Sequence, residues 1–241
     1  MTEFKDSDWT DGDFVDGFLD AVDLKIPQRQ RMFDLAASYY RHFLSGKKGN
    51  SIMDLGCGDG VLTRRLLDVD GTISAVLVDA SPEMIEKARK KLSNHERVKY
   101  VNTSFEEMIR TDARMGPFDL VISSLAIHHL TLKDKRRMFQ LIYRNLGPGG
   151  HFVNIDTMLP PTESLENWYL ELWEEWMRRR CDDAQFTEGM ALMNGHHQVE
   201  AHHACLDTLT DQLALLKDVG FTDVDVVFKD GIYTIYCGRR P

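Results

Sequence analysis

Ile52-Met53-Asp54-Leu55-Gly56-Cys57-Gly58-Asp59-Gly60 is the stretch that decides the reading of this chain. The apolar residues of 51–55 read as a short buried strand and 61–67 as a helix, so the glycines form the turn between them. Glycines there let a ligand approach the backbone, and the start of a helix offers unpaired N–H groups. Asp79 follows 21 residues beyond Gly58, at the end of a second strand expected over 73–78. An acid at that distance is placed to bind ribose hydroxyls. The loop therefore reads as a nucleoside site.

The glycine spacing narrows the ligand. No G-x-x-x-x-G-K-[ST] occurs, which excludes a P-loop. Asp54 and Asp59 flank a G-x-G-x-G run. Carboxylates beside a pyrophosphate would repel it, whereas they suit an ammonium and a neighbouring sulfonium. S-adenosylmethionine fits this loop better than NAD.

Outward from the loop, strand and helix alternate. Ser81-Pro82-Glu83 supplies an N-cap, a proline at the first helical position and an acid in the first turn. Further strands are expected over 98–101, 118–123 and 151–156, with a helix over 133–146 stopped by Gly147-Pro148. Repeated β–α units argue for a parallel sheet covered on both faces. Residues 1–48 read as a helical arm. Phe14, Val15, Phe18, Leu19 and Val22 recur at helical spacing, and Pro27 suits the first turn of a second helix. Residues 157–207 read as a helical insertion. Near the end, Thr210 is expected to cap a helix stopped by Gly220, before a returning hairpin over 224–228 and 232–237.

Composition bounds the class. The chain has 241 residues, 43% hydrophobic and 28% charged, the balance of a globular protein. No apolar run approaches the roughly 20 residues that span a bilayer, so no membrane association is expected. Met1-Thr2-Glu3-Phe4-Lys5-Asp6 lacks the features of a signal peptide, and the expected location is the cytoplasm. Four scattered cysteines form no C-x-x-C pair, and no metal is expected. The net charge of −9 is concentrated at the start, where residues 1–23 hold eight acids and one base. Such a chain offers no broad basic surface for nucleic acid.

In five segments the sequence resembles the class I S-adenosylmethionine-dependent methyltransferases. They are Asp54–Gly60, 78–84, 118–130, 146–152 and 216–221, in the family's order. The resemblance implies a Rossmann-like α/β fold. Its seven-stranded, mostly parallel sheet has an antiparallel last strand and helices on both faces. Residues 49–241 would form the methyltransferase domain, 1–48 an arm or lid, and 157–207 a substrate lid. It implies that Gly56 and Gly58, with Cys57 between them, lie under S-adenosylmethionine and that Asp54 sits near its amino group. Asp79 would bind the ribose, with Ala80 and Met84 beside the adenine. The family's usual acid near the adenine amine is replaced here by Ser104, and Phe105 would pack beside the base. Ser124 and Leu125 would lie near the methionine part.

Methyl transfer needs alignment of an acceptor, and a base only where the acceptor loses a proton. His128 and His129 follow the fourth strand at the mouth of the expected cleft. They read first as a packed turn and second as a base or substrate contact. Asp156, at the tip of the fifth strand, is a candidate for substrate contact. Trp168, Trp173 and Trp176 read as core before pocket. His196, His197, His202 and His203 read as solvated or structural, then as substrate pocket, then as metal ligands. Arg178-Arg179-Arg180 reads as a solvated helix end before an anion or RNA contact. A small-molecule methyltransferase is the first reading. An RNA methyltransferase, a nucleotide-dependent oxidoreductase and a catalytically silent adenosylmethionine-binding protein are the alternatives. The residues leave the acceptor and the oligomeric state open.

Overall fold

The protein is described by a computed structural model covering residues 8–187, 189 and 205–241. Two helices open the chain, α1 (Gly12–Lys25) and α2 (Arg29–Phe43). The alternating part follows as β1 (Ser51–Leu55), α3 (Val61–Val69), β2 (Ser74–Asp79), α4 (Pro82–Lys91) and β3 (Val98–Asn102). It continues with α5 (Phe105–Thr111), β4 (Phe118–Ser124), α6 (Leu132–Asn145) and β5 (Leu146–Thr157). Beyond these come α7 (Glu163–Arg178), α8 (Leu209–Val219), β6 (Thr222–Asp230) and β7 (Tyr233–Arg239).

The strands form one sheet in the order β3-β2-β1-β4-β5-β7-β6. All pairs are parallel except those of β7, which runs antiparallel between β5 and β6. The central strands are apolar on both faces because each face carries helices. Ile52, Leu120, Val153 and Ile235 pack beneath α1, α2, α3, α4 and α7. Met53, Val121, Phe152 and Tyr236 pack beneath α5, α6 and α8.

Local chemistry sets the helix ends. Ser81 Oγ accepts from Met84 N at 3.3 Å, and Pro82 begins α4 as expected. Two expected helix starts move, and the fifth strand begins at Leu146 and takes in Gly147-Pro148 rather than starting at 151. Thr208, not Thr210, caps α8: its Oγ1 accepts from Asp211 N at 3.2 Å and donates to the Asp211 carboxylate, three residues on, at 2.6 Å. Pro27 lies ahead of α2, which starts at Arg29 after Gln28 adopts a left-handed conformation. The seven-residue helix α5 has too few turns to show a period and was not expected.

The arm and the insertion meet. Trp173 and Trp176 donate their indole N–H groups to Lys25 O (2.8 Å) and Leu24 O (3.2 Å). These are carbonyls of the last turn of α1, which lack helical donors. Trp173 is buried, whereas Trp168 is half exposed against Tyr169, so the core expectation holds for the first and not the second. The arginines after α7 are engaged: Arg178 with Glu174, Arg179 with Glu175, and Arg180 stacked on Trp176.

The neck of the insertion is closed by a bridge in which Leu159 N donates to Asp207 O at 3.0 Å. Beneath it Lys135, 2% exposed, pairs with Asp207 at 2.6 Å and also donates to Cys205 O. Removing one partner of a buried pair strands the other's charge. Lys135→Met is therefore expected to lower the unfolding free energy by about 3 kcal/mol. Urea unfolding reads this directly, and a loss of less than about 0.5 kcal/mol would show that Gln212, whose Nε2 also donates to Asp207 at 3.2 Å, can hold it alone.

Candidate active site

The strand order reverses between β1 and β4, and it is beyond the C-terminal ends of strands at such a point that open α/β sheets bind ligands. The loop after β1 forms one wall. Gly56 and Cys57 donate their N–H groups to Val78 O at 2.8 and 3.0 Å, which ties the loop to β2. Gly56 has φ +65°, and a Cβ there would stand 2.3 Å from Ala126 Cβ and 3.4 Å from Phe105. Only glycine lets the turns after β1 and β4 approach this closely. The opposite wall turns out of the sheet at Leu125. Its φ is +54°, an outlier for a bulky side chain, and its N–H donates to Ile155 O at 2.8 Å.

Asp79 sits at the end of β2 with one carboxylate oxygen accepting from Gly58 N (2.8 Å) and the other from Ser81 N (2.9 Å). Burial pushes its carboxyl above the usual range while these backbone donors oppose the shift. Asn102 donates to the carbonyls of Asp79 and Ala80 at 3.0 and 2.9 Å and so fixes that peptide. Met84 is buried next to Gly58, 3.9 Å from a Cβ built there. Ser104 caps α5 by accepting from Glu107 N at 3.3 Å, so the residue at the expected acid position has a structural task. Phe105 starts the same helix and lies against Gly56.

Asp54, one residue before the end of β1, is bonded to α3 and is 1% exposed. Thr63 Oγ1 donates to it at 2.6 Å. Burial, with Asp79 and Asp59 nearby, pushes the Asp54 carboxyl up to about 7 against the pull of Thr63. Asp59 is paired with Lys91 of α4. Cys57 is buried and its thiol is pushed well up by desolvation and by Asp54, so it packs rather than reacts.

Three carboxylates around a glycine turn, with Met84 and Phe105 beside them, fit a cationic nucleoside whose ribose hydroxyls need acceptors. Pyrophosphate would find the N–H groups of Gly56, Cys57 and Gly58 already committed to Val78 and Asp79.

At the mouth, His128 and His129 occupy a 3-10 turn, Ile127–His129, with ring centroids 4.1 Å apart. His128 Nδ1 lies 2.5 Å from Asp156 Oδ1. Asp156 is 1% exposed and also accepts from Thr157 N (3.1 Å) and Asn154 Nδ2 (3.2 Å). Asn154 donates in turn to the Tyr236 hydroxyl at 2.7 Å. With Asp156 as a carboxylate, this contact requires the proton on His128 Nδ1, which makes Nε2 the basic nitrogen. Ser124 ends β4 opposite Ile155, beside this pair.

Trp168 lies away from it, with Tyr169 packed on Lys229 and near Gly231 at the β6–β7 turn. His196, His197, His202 and His203 fall outside the described residues. Among the described residues no group of three or more His, Cys, Asp or Glu is placed to hold a metal. No helix among them is long and apolar enough to cross a membrane.

Sequence reasoning did not single out Thr63, Asn102, Asn154 or Tyr236. Thr63 carried a signal, a polar residue among the apolar ones that α3 buries.

Comparison with known proteins agrees with this geometry. A family model described as a methyltransferase domain matches residues 52–150. An uncharacterized methyltransferase of Oceanobacillus iheyensis is 27% identical over 161 residues, 64% of this chain and 72% of that protein. A carboxy-S-adenosyl-L-methionine synthase of Alteromonas mediterranea is 23% identical over 232 residues, 91% of this chain and 87% of that protein. Human N-acetylserotonin methyltransferase, solved in complex with S-adenosylmethionine, shares the fold with a TM-score of 0.59 at 18% identity. The superposition covers 95% of this chain, which spans little more than half, 56%, of that one. Residues 52–150 match a methyltransferase domain, and the chain has the fold of S-adenosylmethionine-dependent methyltransferases.

Proposed function

We propose that the protein transfers a methyl group to a protic atom of a small molecule, with His128 as the base and Asp156 as the residue that orients it. The observation that carries this reading is the 2.5 Å contact between His128 Nδ1 and an almost fully buried carboxylate at the cofactor cleft. S-adenosylmethionine, when bound, supplies a methyl group already activated by the sulfonium. What the chain adds is alignment, exclusion of water and a place for the acceptor's proton. Asp79 would hold the ribose, Gly56 and Gly58 the cofactor chain, and Ala80, Met84 and Phe105 the adenine. Ser124 and Leu125 would face the methionine part.

The arm and the insertion are read as the two sides of a cover over the acceptor. Their support is the pair of indole hydrogen bonds between α7 and α1. Lys87 of α4 pairs with Asp16 and holds the other side of α1 down. The acids at the start of the chain disfavour RNA as acceptor, and each arginine after α7 is engaged within the protein. The four cysteines are free, which supports a cytoplasmic setting.

Calorimetric titration with S-adenosylmethionine, its thioether product S-adenosylhomocysteine and NAD is the first test. Micromolar binding of both sulfur compounds and none of NAD is expected. A panel of phenols, carboxylic acids and amines then reads turnover as thioether product released. Product formed with an RNA substrate and with no member of the panel would overturn the small-molecule reading.

A further inference from the structure

Asp54 stands where an ionised carboxylate has little to stabilise it. It is 1% exposed, and its side-chain donor is the hydroxyl of Thr63, itself 0% exposed, at 2.6 Å. The other charged groups that bear on it are negative: Asp79 from the end of β2 and Asp59 from the loop. Lys91 of α4 is paired with Asp59. Cys57, which lies between them, is a buried thiol and supplies no charge. Desolvation and these neighbours raise the Asp54 carboxyl to about 7. Below about neutral pH, a buried acid in this setting keeps its proton until a cation arrives. The cofactor brings such a cation in its ammonium group.

We propose that Asp54 is protonated while the cleft is open and releases that proton to solvent as the cofactor's ammonium docks, with Thr63 the positioning residue that holds the carboxylate once it is ionised. The inference rests on the cofactor assignment. In the step the Asp54 O–H bond breaks, the proton passes to buffer, and the carboxylate pairs with the ammonium. No oxidant or second reactant takes part.

The signs follow from linkage. The free site holds one more proton than the bound site below about pH 7, so affinity weakens as pH falls. Between pH 8 and pH 6 the loss is about tenfold, with about a further tenfold by pH 5.

The experiment is calorimetric titration of the full chain with S-adenosylhomocysteine in paired buffers of different ionisation enthalpy, from pH 5.5 to 8. The thioether product is the probe because it keeps the ammonium and lacks the sulfonium. Release of about 0.9 proton per ligand is expected at pH 6, falling to about 0.1 at pH 8. Asp54→Asn, which can still accept from Thr63, should bind more weakly at pH 8 and release no proton at any pH. Its melting temperature at pH 8 should exceed that of the wild type, because an ionised buried carboxylate has been removed. Thr63→Val should move the recovery of affinity to higher pH. A merely structural threonine would instead lower affinity equally at every pH.

Binding with less than about 0.1 proton released at pH 6 overturns the inference and leaves the cofactor assignment intact. Wild-type release from Asp54→Asn overturns it too and would move the proton to Asp79. No binding of the product at any pH overturns the cofactor assignment and the inference together.

Discussion

His128→Gln is expected to lower the rate of methyl transfer by about 10²–10⁴-fold, the usual contribution of a positioned base. Affinity for S-adenosylmethionine should stay within about threefold, because His128 is assigned to the acceptor, and the cofactor contacts on its own loop are assigned to Ser124 and Leu125. Asp156 works through His128. It accepts from His128, Thr157 and Asn154 within 3.2 Å, so its carboxylate is held on three sides. Asp156→Asn keeps an oxygen for the imidazole but removes the negative charge that would stabilise the imidazolium formed when the base takes a proton. A loss of about 10²-fold is expected. Residues that act as a unit are not additive, so the double substitution should be no slower than His128→Gln alone. Single-turnover rates with an acceptor from the panel decide this. A His128→Gln rate within threefold of wild type would reduce the pair to the packed turn that is the simpler reading of this segment. Full additivity in the double variant would mean that Asp156 acts elsewhere.

Asp79→Ala is expected to weaken binding of S-adenosylhomocysteine by more than about 100-fold, close to 3 kcal/mol. Two separate effects add. The ribose hydroxyls lose their acceptor, and the N–H groups of Gly58 and Ser81 lose the oxygens that hold them at 2.8 and 2.9 Å. The second effect loosens the glycine turn itself. Asp79→Asn separates the two: an amide can accept from one of those N–H groups but presents its own N–H to the other. Its loss should fall between wild type and alanine. Calorimetry on the three proteins, with melting curves to show that each is folded, reads the series. Equal affinity across the series would remove Asp79 from the ribose site.

Much of the fold was legible along the chain because the interactions that specify it are local. The turn from Gly56 to Gly60, the Ser81-Pro82-Glu83 cap and the glycine after α8 each act within a few residues, and each is found where the residues indicate. The strands from β1 to β5 contain the expected apolar runs, with ends displaced by a few residues. Thr208 displaced Thr210 as a cap for an equally local reason, the acid three residues on.

The site was legible only as far as single loops carry it. Asp54, Gly56, Gly58 and Asp79 could be named because one β–α–β unit brings them together. His128 and Asp156 are 28 residues apart and meet because β4 and β5 pair in parallel with Ser124 opposite Ile155. Nothing in either segment encodes that register. The same holds for Lys135 and Asp207, 72 residues apart, and for Trp173 and the last turn of α1, 148 apart.

By itself, then, the sequence determined the alternation of strands and helices, the glycine turn, the acid at the second strand and the class of ligand they accept. Each follows from backbone conformation or charge within a short segment. The tertiary structure alone decided which histidine has a buried carboxylate behind it, that Asp54 is buried beside two other acids, and that α7 is joined to the end of α1. Those properties depend on burial and on side-chain distances across strands, which no local pattern of residues records.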